Sequence, residues 1–268
     1  MPLLGVFMKQ PGAPCVFSST LDPPNRIPAT RFCPPKNLAS PGWAFRGCRN
    51  GLAIFLNWVQ REVYLWDPIS NQQRRISFPF PLRFTDGAPK IVLNAGMVCA
   101  DNHADHLHGA CLLSPFKFVV VCNNMNQDHI YACLFESGSG MWGDIITVEA
   151  TMADPTIDPT SPSIFVGNKL CWLLCEGDIL QFDLESQSLS VIRKPFEACF
   201  MDPLSPHCFQ IMRTRDNGIG LVILLGPNIQ IWEWKPEYET SWVMRKTIQL
   251  GDLLTPRLFI ENGVGDMP

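Results

Sequence analysis

Apolar positions in this chain fall in short runs separated by polar turns, and the helical period is nearly absent, so the pattern predicts strands throughout. The clearest stretch is SIFVGNKLCWLLCEGDILQFDLESQSLSVIRKP, residues 163–195. It predicts strands over 169–174, 179–183 and 188–192. The first follows a Gly-Asn turn, and the second follows Glu176-Gly177-Asp178 and ends in the aromatic-acid pair Phe182-Asp183. The order of features recurs upstream, where an apolar run after Gly51 leads through a polar turn to 63–67, ending Trp66-Asp67, and then to Arg75-Ile76. It recurs again with strands over 116–122 and 130–135 and a Glu-Ser-Gly-Ser-Gly turn before Trp142. Downstream, Asp216-Asn217-Gly218 predicts a hairpin turn, and Trp232 is the next aromatic.

A meander of this kind buries both faces only by stacking on copies of itself. About fifty residues separate Phe182 from Trp232, close to the roughly 40–50 of a four-stranded propeller blade. The expected fold is therefore all-β, a β-propeller-like array of antiparallel four-stranded blades. Dividing the length by a typical blade gives about six. One domain is expected over 1–268, opening with an irregular, proline-rich lead-in over 1–42. Trp66, Trp142, Trp172, Trp232 and Trp242 are expected as anchors between blades, since one large ring per repeat fills the gap between stacked sheets.

Of the 268 residues, 46% are apolar and 17% charged, enough to bury a substantial core. The net charge of −4, with no lysine-arginine block, excludes the clustered basic face of a nucleic-acid binder. The apolar runs are far too short to span a bilayer, and no membrane partner is expected. The eleven cysteines include Cys122, Cys133 and Cys171 inside apolar strand patterns, where a reduced thiol packs as a small hydrophobe. The expected location is accordingly cytoplasmic or nuclear.

The densest polar cluster is His103, Asp105, His106 and His108 between Cys99 and Cys111. Its spacing matches none of the paired signatures of zinc sites, so a blade-to-blade loop is the first reading and no metal or cofactor is assigned. The alternative is a metal-assisted hydrolase or lyase on a propeller, with His103, His106 and His108 as ligands. Gly138-Ser139-Gly140 is too short for a nucleophile elbow, and no catalytic residue is assigned. The chain reads as a binding protein and not an enzyme. Its candidate partner-binding residues are Asn124, Asp128, Arg213, Arg215, Trp234 and Tyr238, on loops over 123–128, 136–141, 213–217 and 233–240 presented from one rim.

The segments PLLGVF, STLDPPNRIPATRF, WAFRGCRNGLAIF and VYLWDPISNQQRRISFP resemble the region that follows the F-box in a large family of cereal F-box proteins. DNHADHLHG, ACLFESGSGMWGDI, SIFVGNKLCWLL, ILQFDLESQSLSVI and FQIMRTRDNGIGLVIL extend the resemblance, in the same order, over nearly the whole chain. It implies a β-rich F-box-associated domain that holds a protein substrate, while an N-terminal F-box docks the adaptor of a cullin ubiquitin ligase. No leucine-rich helical stretch precedes Pro2, so the F-box is expected to be missing. The chain would then be a stand-alone or decoy substrate binder, with the adaptor as partner only in a longer form.

Overall fold

The computed structural model describes residues 4–8, 15–39, 42–49, 51–57, 60–78, 91–99, 114–123, 129–149, 155–196, 198, 208–236 and 241–250. These form an all-β array of antiparallel meanders. The first four-stranded sheet comprises β3 (Trp43–Arg49), β4 (Leu52–Asn57), β5 (Glu62–Trp66) and β6 (Gln73–Ser77). The second comprises β7 (Ile91–Cys99), β8 (Phe116–Asn123), β9 (His129–Glu136) and β10 (Met141–Glu149). The third is β11 (Ile164–Val166), β12 (Lys169–Leu173), β13 (Ile179–Asp183) and β14 (Ser188–Ile192). The fourth is β15 (Phe209–Arg213), β16 (Ile219–Leu225), β17 (Asn228–Lys235) and β18 (Ser241–Gln249). A two-stranded ribbon, β1 (Gly5–Met8) with β2 (Val16–Ser19), precedes them.

Four complete sheets and a ribbon thus stand among the described residues where division of the length gave about six. The lead-in is also more regular than its prolines suggest. Phe7 pairs with Phe17 in the ribbon and both rings turn toward the first sheet, with Phe17 edge-on to Phe32 at 4.8 Å.

Strand alternation explains why the runs read as continuously apolar. In β4, Leu52, Ile54 and Leu56 pack toward the second sheet, while Ala53 and Phe55 pack toward the ribbon. β5 repeats this with Val63 and Leu65 on one face and Tyr64 and Trp66 on the other. In β8, Phe118 and Val120 meet the first sheet, and Val119 and Val121 meet the third. In β12, Leu170 and Trp172 face the second sheet, and Cys171 and Leu173 face the fourth. Both faces of each inner sheet are therefore interior, and each large side chain so buried contributes about 1.5–3 kcal/mol.

The tryptophans stand where the repeat put them. Trp66, Trp172 and Trp232 are buried, and Trp142 and Trp242 are half-buried against neighbouring clusters. Cys171 is buried deeply enough to push its thiol up to about 12, whereas Cys175 lies beyond the end of β12 and is half-buried.

Hairpin chemistry sets which end of each meander is which. Gly167 and Asn168, both at positive φ (53° and 65°), close the β11–β12 hairpin with the left-handed turn that suits strand twist. The 214–218 hairpin closes with Thr214 N–H donating to the Gly218 carbonyl at 2.9 Å, and Asn217 has φ 60°. In every four-stranded sheet the connections from first to second and from third to fourth strand share one end, here called the turn end. The connection from second to third strand lies at the opposite end.

Candidate functional site

The turn end is built from the last residues of the four first strands: Arg49 of β3, Cys99 of β7, Val166 of β11 and Arg213 of β15. These strands lie on the inner side of the array, where β3 touches β7, β7 touches β12, and β11 touches β15. β3 also reaches the segment leading into β11. A register shift between Phe45 and Gly47 kinks the strand there. Gly47 has φ 142°, and a Cβ on it would stand 2.9 Å from Pro162, so only glycine allows the approach.

That lead-in is itself pinned. Asn94, fully buried, donates through Nδ2 to the carbonyls of Asp158 (3.1 Å) and Ser161 (3.0 Å). Burial alone would raise the Asp158 carboxyl, but donors from Thr160 and Ser161 outweigh it and hold the group below its ordinary range.

Two arginines sit on this frame in different circumstances. Arg46 donates to the Pro159 carbonyl at 2.7 Å and lies in the field of Asp158, which partly offsets the lowering that burial imposes on it. Arg49 lies over the Phe165 ring at 5.0 Å. Its pKa is lowered to about 10, chiefly by burial, with Cys99 acting in the opposite sense and the like charge of Arg213 adding to the lowering. Its Nε is sealed from solvent without an acceptor. Beside it, a recess of about 240 Å³ opens between the second and third sheets, with Cys99, Phe165, Lys117 and Glu185 on its walls.

Of the candidate residues, Arg213 closes β15 and Arg215 lies in the hairpin that follows, both exposed at the turn end. Trp234 is near the end of β17, half-buried and tilted against Trp242 with centroids 5.5 Å apart, so it serves at least partly as a packing wedge. Asn124, Asp128 and Tyr238 lie outside the described residues, as do His103, His106 and His108. The topology corrects the expectation of a single rim. The 123–128 loop joins second to third strand of the second sheet, so it is at the opposite end from the 136–141 turn of the same sheet. Among the described residues no group of three or more His, Cys, Asp or Glu is placed to hold a metal, and no helix is long and apolar enough to cross a membrane.

Sequence reasoning missed Arg49. The signal was present, because Arg49 and Arg213 both end a first strand ahead of a turn that closes with Asn-Gly.

Residues 47–257 match the family model described as F-box protein AT5G49610-like, beta-propeller. The chain belongs to this family. Its meanders are thus blades of an F-box protein AT5G49610-like β-propeller, in agreement with the resemblance read from the segment order. Comparison with curated proteins gave no match. Among solved structures the chain is similar to a prolyl endopeptidase (13% identity, TM-score 0.38, 76% of this chain and 29% of that one). It is similar too to BBS1N from its complex with ARL6DN (8%, 0.42, 91% and 62%). A third is a putative 6-phosphogluconolactonase from Bacteroides fragilis NCTC 9343 (12%, 0.41, 78% and 55%). The chain spans less than two thirds of each of these.

Proposed function

We propose that this propeller is a non-enzymatic protein-interaction domain that holds a protein substrate at its turn end, as the substrate-holding region of an F-box ubiquitin-ligase subunit does. The supporting observation is that both faces of the inner sheets are consumed by packing against one another. Loop ends are the surfaces such an array offers to a partner, and a rigid scaffold fixes their geometry. Family membership gives the same direction. Joined to an F-box, the domain would bring its substrate to the adaptor of a cullin ligase; without one it would bind the substrate and leave it unmodified, acting as a decoy. The reading places it in cytoplasm or nucleus, where buried thiols such as Cys133 and Cys171, both with raised pKa, stay inert.

Affinity purification with mass spectrometry, done with and without a grafted F-box, tests this. The same prey in both samples, with adaptor and cullin recovered only with the graft, is the expected result. Combined Arg213→Ala and Arg215→Ala should reduce prey recovery at unchanged thermal midpoint. Full recovery after those changes removes the turn end as the binding surface.

A further inference from the structure

Several surface cations of the four sheets are matched by a carboxylate, in most cases on the neighbouring strand. Arg75 faces Glu62, Lys117 faces Glu136, Lys169 faces Asp183, and Lys235 and Arg245 share Glu233. Arg46 has a carbonyl and the field of Asp158. Arg74 and Arg49 rest instead on aromatic rings, Arg74 on Phe116 and Arg49 on Phe165, and of the two Arg49 is the one with a sealed Nε. Among the described residues Arg49 has no carboxylate partner; its Nε, like that of Arg46, is sealed and unsatisfied, and beside the opposing influence of Cys99 it feels the like charge of Arg213. Arg213 and Arg215 likewise form no ion pair among the described residues. Arg49, Arg213 and Arg215 therefore stand at the turn end with no ion pair among the described residues.

Holding a half-buried cation without a partner costs free energy, and here the glycine-dependent docking of β3 and the aromatic ring keep it in place. A partly desolvated guanidinium gains more from an incoming anion than one in bulk water, and its planar fork fits a carboxylate through two parallel N–H donors. The adjoining recess shares Phe165 and Cys99 with this site; Val98 and Leu184 give it an apolar side that suits an apolar side chain next to the acid, and Asn168, Glu185 and Lys117, the last paired with Glu136, make up its polar side. With a net charge of −4 and no lysine-arginine block in the sequence, no basic track continues from this point to follow a nucleic-acid backbone.

We propose that the turn end is a receptor for an extended acidic segment of a protein partner, with a carboxylate seated on Arg49, an adjacent apolar side chain in the recess, and Arg213 and Arg215 steering its approach. This rests on the interaction reading above and names the chemistry of its ligand. Fluorescence anisotropy on the full chain tests it with a labelled short peptide of alternating glutamate and leucine. The same peptide with glutamine, the same with phosphoserine in place of glutamate, and a single-stranded oligonucleotide are run beside it.

The glutamate peptide should bind and the glutamine peptide should not. Arg49→Gln should weaken binding by at least about tenfold, as loss of one charge-assisted pair does. Arg49→Lys should restore only part of that loss, and Arg75→Gln should change nothing. Arg213→Gln, an exposed position that leaves folding intact, should weaken binding severalfold and flatten its salt dependence. Tighter binding of the phosphoserine peptide through Arg49 would keep the site and assign the anion as phosphoryl. Equal binding of glutamate and glutamine peptides, unchanged binding in both arginine variants, or Arg49-dependent binding of the oligonucleotide alone would overturn the proposal. Should cellular prey be captured through Arg213 and Arg215 yet be indifferent to Arg49, the acidic-segment proposal fails while the interaction reading stands.

Discussion

At the scale of single residues, the aromatic-acid pairs seen in the repeat divide two tasks between neighbours. Trp66 and Phe182 point into the core, while Asp67 and Asp183 cap the turns that follow. Asp183 accepts from the backbone N–H groups of Ser186 and Glu185, which with the Lys169 charge hold its carboxyl below the usual range despite some desolvation. A depressed folded-state pKa means that the stabilisation is present above the unfolded value, about 3.9, and is lost as the pH falls through the folded one. Asp183→Ala should therefore lower stability by about 1–2 kcal/mol at pH 7, the cost of stranding a turn's charge-assisted hydrogen bonds. The gap from the parent protein should persist at pH 5 and narrow below about pH 4. Urea midpoints at these pH values measure it, and a gap independent of pH would assign the cost to turn geometry and not to charge.

At the scale of elements, two half-buried tryptophans repeat one device. Trp142 on the outermost strand β10 donates its indole N–H to the Ser77 carbonyl of β6 at 3.0 Å. Trp242 on the outermost strand β18 donates to the Arg193 carbonyl just past β14 at 2.6 Å. Each ties the outer margin of its sheet to the preceding one. Trp142→Phe and Trp242→Phe should each cost about 1 kcal/mol, and because they join different pairs of sheets the double variant should be additive within about 0.5 kcal/mol. Denaturant midpoints at constant slope decide it; strong coupling would mean that the two sheet junctions communicate. Such outer strands also show what the sequence conceals. Strand 179–183 was legible residue for residue because interior burial on both faces leaves a nearly unbroken apolar run, and outer strand 188–192 because its polar and apolar residues alternate. β10 alternates half-buried with exposed positions and was visible only through Trp142, while β11 is three residues long and gives no period at all. The place of Arg49 at a strand end ahead of Asn-Gly was legible, but what it touches was not. Its contact with Phe165 crosses from the first sheet to the third, a distance in sequence that no local pattern encodes.

At the scale of the whole molecule, the clusters run in series: ribbon to first sheet, first to second, second to third, third to fourth. In such an array each sheet is stabilised chiefly by its neighbours, so the value of an apolar residue depends on which face it takes. The fourth sheet makes the contrast measurable within one strand. Ile223 points toward the third sheet and is fully buried, whereas Leu224, on the other face, is 43% exposed. Val222, Ile229 and Ile231 on that same face belong to none of the core clusters. Ile223→Lys places a charge in a closed apolar interface and should abolish folding, while Leu224→Lys should stay within about 0.5 kcal/mol of the parent protein and improve its solubility. Thermal midpoints and the soluble fraction on expression read both effects. If Leu224→Lys unfolds the chain as Ile223→Lys does, the fourth sheet has a neighbour on its second face, and the series is longer than the four sheets and ribbon described.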